Sequence, residues 1–250
     1  NVIPESDSDD PEHELTINDS PPKSLIQAMR FFFIGVAVQA SHRAKNEKTQ
    51  ALRSMLIHPS MRQLDHYKYK TWVDRVRQRW VSSLSGTDDE ARFAEEANFR
   101  SAYEELSRDS SYTSGSETLP AVEDVLEMLL PAIHYTCPAW EVNSRKDAAK
   151  WDLNNWSLGP SHILIGGENL GRGFTVEGLT VTYMPRGKGS GYADTIEQRA
   201  RFFGYKRDYF GLCQVFLDDV VARLYYDYVE HETFLMDILR KLSLEGEQDM

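Results

Sequence analysis

The stretch HILIGGENLGRGFTVEGLTVTYMPR, residues 162–186, holds two short apolar runs around a loop rich in glycine. The runs, His162 to Ile165 and Leu179 to Met184, are β-branched and uninterrupted, as strands buried on both faces must be. Between them lie Gly166, Gly167, Gly171 and Gly173, with Arg172 set between two of the glycines. In open parallel sheets ligands collect beyond the carboxyl ends of strands. Glycines there let backbone amides approach an anion, and successive amides form an anion-binding nest. Arg172 adds a charge-assisted fork. A tight crossover between strands is the plainer reading of the same glycines.

Outward from this stretch, the chain alternates short β-rich runs with helical patterns. Ser20, Pro21 and Pro22 read as a helix start, followed at helical spacing by Leu25, Ile26, Met29, Phe32, Phe33, Val36, Ala37 and Ala40, one face of which packs on a core. Arg53 to Ser60 reads as a buried strand ending in a His-Pro-Ser turn. The next helix carries Arg62, Lys68, Lys70, Arg75, Arg77 and Arg79 on its exposed face. Gly86-Thr87-Asp88 caps a polar helix from Asp89 to about Arg108. A Ser-rich loop follows, then a helix from Leu119-Pro120 to near Ile133. IHYTCPAWEVN reads as a second strand and Leu212 to Leu217 as a late one, with a helix between Asp194 and Phe203 and another from Val220 to Leu242. The expected fold is α/β: a mostly parallel sheet covered by helices, with a helical insertion and a long C-terminal helix. Residues 1–19 read as an acidic linker and 20–245 as the domain, with a helical excursion around 72–133.

Composition narrows the class. Over 250 residues, 41% hydrophobic content with 5 Trp, 12 Tyr and 11 Phe describes a globular chain. The net charge of −11 is concentrated at the start, where residues 1–22 carry seven carboxylates and no Lys or Arg. The body is nearly balanced, so whole-chain charge does not exclude a polyanion partner. Cys137 and Cys213 stand far apart, outside metal-ligand spacing, and indicate a reduced, cytoplasmic protein with no metal site. FFFIGVAV, the longest apolar run, falls short of the roughly 20 residues of a bilayer span, and no membrane association is expected. The acidic opening without a signal peptide reads as part of a longer polypeptide.

A second cluster gives the glycine loop its context. DTIEQRARFFGYKR places Gln198, Arg199 and Arg201 on one short helix, with Lys206 and Arg207 on the turn after Gly204. A solvated helix face accounts for such charges in isolation. Following a glycine-arginine loop and preceding a buried strand, they fit two adjacent strand ends that feed one polyanion site. His58 and Ser60 end another strand, where they can grip a phosphate or simply satisfy the turn. His66, His134, His162 and His231 share no metal spacing and read as structural.

GGENLGRGFTVEGLTVTYMPR resembles motif V, and DTIEQRARFFGYKR motif VI, of the second RecA-like domain of superfamily 2 helicases. Together they are similar to the Z1 domain, found behind a DEAD-like ATPase domain in bacterial restriction and defence proteins. SMLIHPS also resembles that family's first strand. The family's Arg-Gly-Leu-Thr pattern falls on Arg172-Gly173-Phe174-Thr175, and its Gln-to-Arg pattern on Gln198 through Lys206. The likeness covers residues 22–217, with its strong motifs between 162 and 217. Ala200 and Lys206 replace a glycine and an arginine of the family, and Thr175 stands where many helicases carry a ribose-contacting aspartate.

The resemblance implies a RecA-like half of an ATP-dependent DNA translocase. Gly171, Arg172, Gly173 and Thr175 would contact nucleotide. His58, Ser60, Gly166, Gly167, Glu168 and Asn169 would contact DNA. Gln198, Arg199, Arg201, Lys206 and Arg207 would act on the phosphates, the arginine finger being Arg201, Arg207 or Arg199, with Arg201 the first choice. An arginine finger is worth about 10³ to 10⁵ in rate. The chain carries no GxxxxGK[ST] loop and no strand-borne Mg²⁺ carboxylate motif. ATP and Mg²⁺ would therefore be held mainly by an upstream DEAD-like domain of the same polypeptide, and a separate nuclease subunit would be the partner. Two alternatives stand beside this reading. A stand-alone phosphodiesterase or endonuclease would need Glu168, Asp152 or Asp194 as metal carboxylates. A non-catalytic scaffold would dock a nuclease subunit through the last helix.

Overall fold

The computed structural model describes residues 1–4, 20–45, 52–60, 62–108, 118–142, 153–167, 176–185 and 209–248. Its centre is a helix rather than a strand. α1 (Lys23–Ala44) begins directly after Pro22, whose φ of −54° suits the entry and whose carbonyl receives the Ile26 N–H at 3.2 Å. The sequence pattern predicts one apolar face for α1. The structure buries Phe31 through Val38 without interruption. The physical reason is position: α1 packs on β2 (Arg53–Ile57), β5 (Leu179–Met184) and β6 (Gln214–Asp218), and is covered from outside by α3 (Asp89–Arg108), α4 (Val122–Glu127) and α5 (Leu129–Tyr135). A helix between two layers has no solvent side to keep polar. By length and composition alone α1 could cross a membrane, yet 72% of its apolar window is buried inside this fold.

Six strands form one sheet, all parallel, in the order β1-β6-β5-β2-β4-β3. Here β1 is Val2–Ile3, β3 is Trp140–Val142 and β4 is Ser161–Gly166. Strand residues alternate between two apolar layers. Met55, Ile57, Ile163, Ile165, Val181, Tyr183 and Phe216 face the layer of α1, with α2 (Gln63–Ser85) beside it. Leu56 and Leu164 face the other side, against Trp156 of a 3₁₀ turn (Leu153–Leu158), and Leu217 meets Val221 at the start of α6 (Asp219–Gln248).

Four boundaries differ from the sequence expectation. Residues 1–4 are not linker: β1 pairs with β6 in register Val2 to Leu217 and Ile3 to Asp218, using backbone groups that β6 leaves open at its edge. The second predicted strand shrinks to Trp140–Val142, because Ile133, His134 and Tyr135 complete α5. The helix expected from Leu119 to Ile133 is two helices meeting at Met128. Leu212, expected to open the last strand, instead ends a 3₁₀ turn, Phe210–Leu212, and β6 starts at Gln214. The helices between residues 72 and 133 share the main core: Trp80 lies edge-on to Phe33 at 5.9 Å and to Phe99 at 5.0 Å.

Candidate functional site at the carboxyl edge of the sheet

All six strands being parallel, their carboxyl ends share one edge. From β2 the chain builds β3 and β4 on one side, then crosses β2 to build β5 and β6 on the other. That reversal between β4 and β5 makes a topological switch point, and in open α/β sheets ligands bind in the crevice beyond the carboxyl ends of the strands at such a point. Two loops flank it in the described residues: His58-Pro59-Ser60 after β2, and Gly167 immediately after β4.

The first loop is held from below and from the side. Pro59 keeps His58 extended, and the His58 N–H donates to the Tyr183 carbonyl at 2.8 Å, so β2 stays paired with β5 to its last residue. The His58 ring is buried. The Ser60 hydroxyl donates to the Asp65 carboxylate and accepts the Arg62 N–H at 2.9 Å. His66 Nε2 donates to the Ser60 carbonyl at 2.9 Å. Asp65 and His66 sit in the first turn of α2 and tie the loop to that helix. The structural role expected of His66 is this clasp; the sequence reading did not single out Asp65, because nothing in its spacing announces a partner five residues back.

The second loop touches the first. A Cβ added to Gly167 would stand 3.3 Å from the Ser60 carbonyl oxygen and 3.4 Å from the His66 ring. Glycine lets the two loops meet backbone against ring, with no side chain between them. Of the residues expected to form the site, His58, Ser60, Gly166 and Gly167 thus come together at the crevice. Glu168, Asn169, Gly171, Arg172, Gly173, Thr175, Gln198, Arg199, Arg201, Lys206 and Arg207 lie outside the described residues, as does the helix expected between Asp194 and Phe203. Their segments are anchored at described ends. The described chain stops at Gly167, beside Ser60, and resumes at Val176, ahead of β5. It stops again at Pro185, at the carboxyl end of β5, and resumes at Tyr209, ahead of β6. Tyr209 is fastened there by the Arg53 guanidinium, 5.0 Å from its ring centroid.

The basic face expected on α2 is divided by the fold. Lys68 is buried with its ammonium 4.5 Å from the Trp72 ring, because residues 68, 72, 76 and 80 form the inward stripe. Arg77 also turns inward. Its guanidinium donates to the carbonyls of Cys137 and Ile133, each at 3.1 Å, and of Thr136, closing the end of α5. Burial pulls its pKa below the usual arginine value, with Asp74 acting in the opposite direction. Arg62, Arg75 and Arg79 remain exposed.

Among the described residues no group of three or more His, Cys, Asp or Glu side chains could hold a metal ion. His162 is fully buried in β4, its Nε2 shared between the carbonyls of Gly159 at 3.1 Å and Trp156 at 3.3 Å.

No curated protein and no solved structure matches this chain. A family model of the Z1 domain matches residues 24–249, extending past the last strand to include α6, where the motif resemblance ended at 217. With a RecA-like parallel sheet and a family match over most of its length, the chain is a member of the Z1 domain family.

Proposed function

We propose that this chain is the C-terminal RecA-like part of an ATP-dependent, helicase-like DNA translocase, the motor subunit of a restriction endonuclease complex. The observation that carries the reading is the position of Gly167: the glycine-arginine loop starts at the topological switch point, against the β2 loop that holds Ser60. Backbone groups on both sides of such a crevice suit phosphate oxygens. An upstream DEAD-like domain of the same polypeptide would bind ATP and Mg²⁺, whose hydrolysis supplies the driving free energy. This chain would add a cation, Arg201 first among Arg199, Lys206 and Arg207, with Gln198 beside it. Gly171, Arg172, Gly173 and Thr175 would couple nucleotide to the DNA contacts at His58, Ser60 and Gly166 to Asn169. Closing and opening of the two halves would move the strand.

The test uses the polypeptide that joins this chain to such an upstream domain. DNA-stimulated ATP hydrolysis is expected, with a loss of about 10³-fold or more in Arg201→Ala. The 250-residue chain alone is expected to hydrolyse no ATP. Substantial turnover by the chain alone removes the half-site model, and full activity in Arg201→Ala removes that residue's role.

One observation favours a second reading, a scaffold that docks a nuclease subunit. Phe234, Leu235, Met236 and Leu239 of α6 are all exposed, on a half of the helix that extends beyond the sheet. Exposed apolar side chains clustered in this way suit a protein partner. Substituting these residues would then abolish complex assembly while leaving ATP hydrolysis intact.

A further inference from the structure

Where β2 runs into α2, the outer face of the helix begins beside the crevice. Leu64 and Tyr67 stand on its first turns, 66% and 45% exposed. Thr71 and Arg75 continue the stripe at steps of four residues, which keeps all four side chains on one face. The neighbouring His66 points the other way, into the clasp with Ser60 and Gly167. A tyrosine ring at a helix surface usually tucks its face against a neighbour. Here the inward stripe is filled by Lys68, Tyr69 and Trp72, and Tyr67 is left outside it.

The charge around this ring runs against that of the molecule. Residues 62–85 carry six Lys or Arg and two Asp, in a chain whose net charge is −11. Both aspartates are used internally. Asp65 accepts from Ser60, and Asp74 pairs with Lys70 at 2.8 Å and with Arg77 at 3.7 Å. Along the stripe the positive charge shown to solvent is that of exposed Arg75, while Arg79 reaches across to Glu95 of α3 at 3.8 Å. An exposed aromatic ring flanked by cations suits a strand that presents phosphates on one side and π-faces on the other. Two apolar side chains amid cations make a poor seat for an apolar peptide.

We infer that the outer face of α2 is a platform for unpaired nucleic acid bases: a base stacks on Tyr67 beside Leu64, and Arg75 holds the adjoining phosphate. The inference deepens the translocase reading and rests on it, since it names the single strand as the form of nucleic acid that this edge grips. It assigns to Tyr67 the sequence-independent part of binding, because every base has a stacking face. Duplex DNA, whose bases are already stacked, gains nothing from that ring.

The experiment compares two labelled strands of about 12 nucleotides, one of thymidines and one abasic throughout, by fluorescence anisotropy with the 250-residue chain. The chain is expected to prefer the thymidine strand. Tyr67→Ala should weaken that strand roughly tenfold and leave the abasic strand unchanged. Tyr67→Phe should restore the preference, and Tyr67→Leu, which keeps bulk without a π-face, should not. Arg75→Gln should weaken both strands alike and reduce the salt dependence by about one counterion. Thermal unfolding midpoints of the variants identify any loss that comes from misfolding, and the Phe and Leu variants carry the answer in that case. If Tyr67→Ala weakens both strands equally, the platform is refuted while nucleic acid binding survives. If it changes neither, the face belongs to a protein partner and the platform is again refuted. No binding of either strand by the unmodified chain would overturn this inference together with the DNA contacts of the translocase reading.

Discussion

Gly178 shows how much a single backbone position can demand. Its φ is +61°, and an added Cβ would stand 2.2 Å from the Leu52 carbonyl oxygen, which is backbone and cannot swing aside. The turn before β5 also delivers the Glu177 carbonyl to the Ser54 hydroxyl at 2.6 Å. Gly178→Ala therefore combines a left-handed conformation with a clash, and should cost at least ~2 kcal/mol in urea unfolding. An unchanged midpoint would mean that the turn relaxes freely. His162 carries a different prediction at the same scale. Burial depresses its pKa below the usual histidine value, outweighing the two carbonyl contacts that act to raise it. The folded state then binds fewer protons than the unfolded state between the depressed pKa and about 6.5. The contribution of the neutral ring is complete above that range and declines as pH falls through it. Unfolding midpoints from pH 7.5 down to 5.5 should fall more steeply for the natural chain than for His162→Asn; parallel curves would contradict the assignment.

At the scale of elements, α1 and α2 answer to different constraints. From Phe31 to Gln39 α1 is buried on every side, but Gly35 leaves room: an added Cβ would meet Leu212 at 4.0 Å, an ordinary contact. Gly35→Ala should stabilise the chain by about 0.5–1 kcal/mol through helix propensity, read as a raised denaturation midpoint. Destabilisation would show that the core above β6 is tighter than this distance implies. On α2 two arginines two residues apart should behave oppositely. Arg77→Ala strands three carbonyls at the end of α5 and should cost about 2–4 kcal/mol. Arg75→Ala, at an exposed position, should change stability by less than about 0.5 kcal/mol. Both are basic residues in one amphipathic pattern, and the sequence placed both on the exposed face. What separates them is α5, which arrives beside α2 from more than 50 residues away. The helix start at Pro22, the cap at Asp88 that accepts the Ala91 N–H at 3.1 Å, and the span of α3 were all legible, because each is written within a few residues.

For the molecule as a whole, the decisive feature is strand order. Placing β4 and β5 on opposite sides of β2 brings the loops that follow β2 and β4 together at one crevice. The same scale explains α6. Its first turns pack Val221 and Ala222 against Met184 and Leu217, while residues 229–240 are exposed all round. Truncation after His231 should therefore shift the thermal midpoint by less than about 2 °C. A larger fall would mean that the outer half of α6 folds back on the sheet.

The sequence by itself determined the α/β class, the central strands β2, β4 and β5, and the glycine loop as the place to look, because apolar period and Pro or Gly punctuation are local properties. Within the candidate site it named His58, Ser60, Gly166 and Gly167, yet neither the Asp65 and His66 clasp nor the exposure of Tyr67. Only the tertiary structure decided that residues 2 and 3 become a sixth strand against β6, that Lys68 is buried and Arg77 turned inward onto backbone carbonyls, and that α6 outruns its partners. Each depends on which distant backbone or side chain arrives alongside, and a local pattern records a residue's own periodicity without recording its neighbour.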